Sequence, residues 1–202
     1  MENTKTTTET FSVFGCGHRN QSGKAVLATQ PKECQDIAHI GQYIASDHAR
    51  WATERLRAMM ATASREELAD FKKLNFEVAT FNGTFTYRNA KSLVSRTPFV
   101  VLDIDDLASV DEARQVQQRL VADPYVETEL CFVSPKGHGV KWVVRVPAWA
   151  EADEFKESFD RLCEHVAFHY GIVCDRSGSD VCRACFLPYD NKCFINPKYL
   201  RP

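Results

Sequence analysis

The run Val100-Val101-Leu102-Asp103-Ile104-Asp105-Asp106 constrains this chain more than any other segment. It reads as a short apolar strand that ends in acids. Side chains alternate across a strand, so Leu102 and Ile104 turn toward a core while Asp103 and Asp105 share the opposite face. Two carboxylates held side by side repel each other and are costly to desolvate. A hard divalent cation such as Mg²⁺ relieves both problems, because it prefers such oxygen ligands. The plainer reading is a strand end whose acids cap the next helix. Asp106, out of phase with the pair, fits the turn.

The surrounding segments predict an α+β sheet with helices on one face. Residues 31–75 carry helical periodicity, with Ile37, Ile40 and Ile44 at steps of three and four. Ser64 and Glu67 form a capping box ahead of a short helix. Residues 76–81 and 84–87 read as strands joined by Asn82-Gly83, a pair suited to the positive φ angles of a type I′ hairpin. The strand at 99–104 leads to a helix opened by Ser109 and Glu112 and stopped near Asp123-Pro124. Residues 130–133 and 140–146 are strands, residues 151–170 a helix ended by Gly171, and residues 172–174 and 181–187 are strand-like. The expected organisation is a helical extension over residues 1–74 packed on a core over 75–202. One sheet face is expected to stay free for a site.

Two further constellations add chemistry. In Ser134-Pro135-Lys136-Gly137-His138-Gly139, the glycines would let backbone N–H groups approach a phosphate, with Ser134 and Lys136 adding a hydroxyl and a cation. The bland alternative is a tight hairpin. In the next strand Lys141, Val143 and Arg145 share one face, which would place Lys141 and Arg145 beside the acids. Asp175 could bring a third carboxylate from a distant segment, or simply begin the turn at Ser177-Gly178-Ser179. Arg183 could grip phosphate in a bidentate manner.

Of eight cysteines, Cys174, Cys182, Cys185 and Cys193 are candidates for structural zinc. A three-residue offset within a strand sends Cys182 and Cys185 to opposite faces, which favours buried thiols instead. The chain has no apolar run long enough to span a membrane, and its polar start lacks a signal-peptide core, so a cytoplasmic location is expected. A formal net charge of −2 argues against a broad nucleic-acid-coating surface and leaves room for a local basic groove.

Together these motifs resemble the archaeo-eukaryotic primase superfamily, most closely the primase-polymerase-like domain of the VirE or BT4734-like N-terminal type. The resemblance is carried by Phe81-Asn82-Gly83-Thr84-Phe85 with Arg88, Leu102-Asp103-Ile104-Asp105, the Ser134-to-Lys141 segment, Asp175, Arg183 and Phe186-Leu187-Pro188-Tyr189-Asp190. It implies an RRM-like catalytic sheet, with Asp103, Asp105 and Asp175 as Mg²⁺ or Mn²⁺ ligands. It also implies that Ser134, Lys136, Gly137, His138, Gly139, Lys141 and Arg183 hold a nucleoside triphosphate, and that Arg88 and Arg145 meet a single-stranded or primed template. Much of the superfamily has histidine where Lys141 stands, which changes the donor geometry. Such domains are often joined to helicases or other domains in mobile elements or defence loci. Two alternatives remain: a primase-like module that only binds nucleic acid or nucleotides, and a haloacid-dehalogenase-type phosphatase. The phosphatase class expects Gly-Thr after the second acid, whereas Asp106-Leu107 follows here.

Overall fold

The chain opens in strands rather than helix. In the structure, a computed structural model that describes residues 9–200, β1 (Phe11–Phe14), β2 (His18–Arg19), β3 (Ala25–Val26) and β4 (Glu33–Gln35) come first. The expected helical run begins only at α1 (Ile37–Ala45), where the Asp36 side chain accepts a hydrogen bond from the His39 amide. Next come α2 (Arg50–Met59) and α3 (Arg65–Asn75), the latter opened by the Ser64/Glu67 capping box. β1 then pairs with β5 (Val78–Thr80), so the expected division at residue 75 cuts through one sheet. Within the expected helical extension over 1–74, the described residues 9–74 therefore include strands as well as helices, and β1 joins the same sheet as β5 of the core over 75–202.

β6 (Gly83–Phe85) does not fold back on β5. It pairs instead with β7 (Leu93–Arg96), and neither Asn82 nor Gly83 has positive φ, so the expected type I′ hairpin is absent. The Asn82 amide reaches the Val181 carbonyl, and its own carbonyl accepts the Thr97 N–H. Gly83 is needed for close approach: a Cβ there would lie 2.2 Å from the Ser95 carbonyl oxygen.

The remaining elements are β8 (Phe99–Ile104), α4 (Val110–Val121), β9 (Thr128–Val133), β10 (Val140–Arg145), α5 (Ala152–Tyr170), β11 (Cys185–Phe186) and β12 (Phe194–Ile195). Among the described residues they complete two four-stranded antiparallel sheets, ordered β11-β5-β1-β4 and β12-β9-β10-β8. The fold is thus α+β. The strand-like segment at 172–174 is irregular, yet the Asp175 N–H donates to the Asp103 carbonyl and holds this stretch along β8. Of the stretch 181–187, only β11 is strand.

Alternation along the second sheet sends Leu102, Ile104, Val140, Trp142 and Val144 toward α4 and α5, which bury Leu120, Phe155 and Phe159 against them. The opposite face is not free. Phe99, Leu130, Phe132 and Val143 pack there against Phe11 and Val13 of β1 and Ile37, Ile40 and Ile44 of α1. With both broad faces buried, polar groups are left with the sheet's ends.

One polar clamp ties α4 to α5. The Asp123 side chain is inaccessible; its carboxylate meets the His165 ring at 2.7 Å, the Tyr170 hydroxyl at 2.5 Å and the Tyr125 and Val126 amides at 2.8 Å each. Burial pushes this carboxyl up, but the hydrogen bonds outweigh it and hold it at about 2, below the usual 3.8. A carboxyl held low stabilises the fold fully above its unfolded pKa and loses that contribution as pH drops through the folded one. Asp123→Ala is accordingly expected to lower unfolding free energy by about 2 kcal/mol at pH 7. Urea denaturation at pH 7, 4 and 3 checks this: the gap from wild type narrows between pH 4 and pH 3.

Candidate functional site

The antiparallel register of β8 and β10 sets Asp103 opposite Lys141. The Lys141 ammonium pairs with Asp103 Oδ2, and both side chains are largely buried. The other oxygen, Oδ1, is buried without a hydrogen-bond partner. Asp105, two residues on, shares this face, and the backbone bond from Asp175 to Asp103 brings in the third acid. Carboxylate oxygens of Asp103, Asp105 and Asp175 lie within 4.8 Å of one another. Asp106, at φ +60°, turns the chain off the strand as expected.

The three acids differ in their surroundings. Withdrawal from bulk water raises the Asp105 carboxyl although it faces the open cleft, and repulsion from Asp175 adds to the rise. Burial also pushes Asp175 up, but Ser177 donates from its hydroxyl and its amide, and Arg183 and Lys141 attract. The balance leaves Asp175 below its ordinary value. Burial pulls Lys141 down to about 8, with Lys72 and Arg183 adding to the fall. Attraction from Cys185 and Asp175 opposes that fall, and the ammonium forms a direct ion pair with Asp103. Lys141 is therefore engaged with an acid rather than free for phosphate.

A cleft of about 910 Å³ opens beside the acids. Ser134, Lys136 and His138 line it from the β9–β10 loop, and Arg88 and Arg183 also reach its wall. Gly137 and Gly139 are not on that wall. The Ser134 N–H bonds to the Gly139 carbonyl and the Gly137 N–H to the Ser134 carbonyl, so these two amides are occupied within the turn instead of facing a phosphate. Gly137 takes φ +86°, where a Cβ would also lie 2.8 Å from Val110. A Cβ on Gly139 would meet the Ile104 carbonyl oxygen at 2.5 Å and Asp105 Oδ1 at 2.9 Å. The missing side chain is what lets this loop pass behind the acid.

Arg145 lies elsewhere. Four residues from Lys141 along β10, it pairs with Glu9 and with the inaccessible Glu129, so it does not stand beside the acids. Asp190 is likewise structural: Arg114 holds it with bonds of 2.6 and 2.8 Å, and the Val133 and Lys192 amides complete its shell. The four candidate zinc thiols are not brought together, since the acid triad is the one metal-ligand group found among the described residues. Cys174 packs against Cys163 of α5, and Cys182 bonds to Asp180.

Several cleft residues escaped the sequence reading. Arg65, Lys72 and Lys73 of α3 line the wall, and Arg57 of α2 braces the loop by donating to the Pro135 and Ser134 carbonyls. Helical periodicity places these residues on a helix; the adjacent Lys72-Lys73 reads as ordinary last-turn cations that complement the helix dipole. Only the tertiary fold turns α3 toward the acids.

A family model described as BT4734-like, N-terminal domain, matches residues 71–194, more than half of the chain. The chain belongs to this BT4734-like family. The matched segment contains every acid of the triad, the β9–β10 loop and Arg183, and it leaves out β1 and Arg65. Searches of curated proteins and of solved structures give no match.

Loop packing in this BT4734-like domain yields a direct test. Gly139→Ala is expected to lower stability by about 1–3 kcal/mol through overpacking against β8. Gly15→Ala, where nothing lies within 4 Å of an added Cβ, is expected to change it by no more than about 0.5 kcal/mol. Chemical denaturation of the two variants beside wild type makes the comparison.

Proposed function

We propose that this domain performs template-directed nucleotidyl transfer, as a primase or polymerase, on nucleoside triphosphates. The observation that carries the reading is the unpartnered, buried Asp103 Oδ1 within a cluster of three convergent carboxylates. A buried acceptor without a donor is costly, and so are three acids at one point. The donor set is all oxygen, which suits Mg²⁺ or Mn²⁺ held by Asp103, Asp105 and Asp175. A cation there supplies Lewis-acid stabilisation of charge on phosphoryl oxygens.

In the reaction, a primer 3′-hydroxyl oxygen attacks the α-phosphorus of the incoming nucleotide. The bond from that phosphorus to the oxygen bridging toward the β-phosphate breaks, pyrophosphate leaves with the electron pair, and the hydroxyl proton passes to water. Lys141 offsets the charge of Asp103. Ser177 and Arg183 hold Asp175 low and therefore charged at neutral pH. Lys136 and Arg183, on the wall, are placed to meet phosphate charge. Arg88, also on the wall, suits a template strand. The β8-α4-β9-β10-α5 order, with residues 172–175 returning along β8, supports an RRM-like plan and with it kinship to archaeo-eukaryotic primases.

A second reading draws on the same ion pair. Because the Lys141 ammonium already neutralises Asp103, the domain could grip nucleotides or nucleic acid without chemistry.

Extension of primed and unprimed single-stranded templates, with ribo- and deoxynucleotides and Mg²⁺ or Mn²⁺, separates the readings. Wild type is expected to lengthen the products and to lose activity when Ca²⁺ replaces Mg²⁺. Asp103→Asn and Asp105→Asn are expected to reduce extension at least about 100-fold while circular dichroism stays unchanged. Nucleic-acid binding that ignores metal, together with no extension under either cation, would sink the catalytic reading. Phosphate release from a simple ester would point to the phosphatase class.

A further inference from the structure

The α3 helix brings into the cleft positive charge that forms no ion pair with the acids there. Of the lining cations, Lys141, Arg183 and Lys73 pair with Asp103, Asp175 and Asp70 respectively. Lys72, Lys136, Arg65 and Arg88 line the same cleft and have no ion-pair partner among the described residues. Lys72 is the most constrained of them. It is half-buried, its ammonium sits 5.1 Å from the Phe186 ring centre, and it lies near Lys136, Arg183 and Asp105. Burial pulls it below the ordinary lysine range, and repulsion from Lys136 pulls the same way.

A partly desolvated ammonium gathered with like charges is unfavourable unless an anion completes it. The anion must be compact and multiply charged, since the cations surround one cleft instead of tracking along a surface. It must also tolerate the neighbouring acids, as a polyphosphate bridged to them by a divalent cation does. An extended nucleic-acid backbone fits this less well, because its charges are spaced along a strand and the exposed cations Arg65 and Arg183 alone approach that pattern.

We propose that Lys72 of α3, together with Lys136 of the β9–β10 loop, seats the β- and γ-phosphates of the nucleoside triphosphate. α3 is then part of the substrate site and not only a packing helix. The nucleoside in this statement rests on the nucleotidyl-transfer reading; the polyphosphate contact can be measured without it. Phe186 fixes the Lys72 side chain by a cation–π contact, so the ammonium is held in place before ligand arrives.

The test is calorimetric titration of inorganic tripolyphosphate into the whole protein with Mg²⁺ present and no primer or nucleotide, so that catalysis does not enter. Wild type is expected to bind, and Lys72→Ala and Lys136→Ala each to weaken binding about tenfold. Lys72→Arg is expected to retain most of the affinity, and Lys156→Ala, at an exposed position of α5 outside the cleft wall, to match wild type. Thermal melts confirm that each variant is folded. Absence of tripolyphosphate binding by wild type overturns the proposal. So does unaltered binding by folded Lys72→Ala, or a loss confined to a single-stranded oligonucleotide titrated in parallel. A protein that binds tripolyphosphate through Lys72 but extends no primer would keep this site and discard the polymerase reading.

Discussion

The pairing of β8 with β10 is the constraint on which the site depends. Its register sets Asp103 against Lys141, and two residues further along it leaves Asp105 beside Gly139. A single-residue slip would exchange faces, bury both acids among Trp142 and Phe159, and bring Leu102 and Ile104 to the cleft. Hydrophobic burial on the other face forbids that slip. Positioning of the acids is thus driven by apolar residues that never touch them.

The same burial explains where the site lies. α4 and α5 cover one face of this sheet, while β1 and α1 cover the other. Polar chemistry is excluded from the middle and gathers at the end where β8 stops, where the β9–β10 loop turns and where the 172–175 segment arrives. At the opposite end a second polar group forms, with Arg145, Glu129 and Lys198, and it is fully paired. The contrast between an end that satisfies its charges internally and an end that leaves Asp103 Oδ1 and Lys72 unsatisfied separates scaffold from candidate site.

Much of this was legible from residues alone. Alternation in 99–104 placed the Asp103/Asp105 pair, and caps at Ser64, Ser109 and Gly171 marked helices that the fold contains. What could not be read were long-range choices. Asn82-Gly83 has the composition of a hairpin turn, but β5 finds better partners in β1 and β11, far away in sequence. Arg145 shares a face with Lys141, yet a strand is long enough to carry it to a different set of acids. The lysines of α3 look like helix-end cations until the packing of α3 turns them toward Asp105. In each instance local pattern was right about the element and silent about its neighbours.

β1 carries one further consequence. It occupies an interior position, between β5 and β4, and inserts Phe11 among Phe81 and Phe99. The segment shared with the BT4734-like family starts at residue 71, beyond it. A chain trimmed to that shared segment would present β5 with one bare edge, its N–H and C=O groups open to pairing with other molecules. Such a fragment is set up for self-association and poor solubility, so the minimal folding unit extends back at least to Phe11.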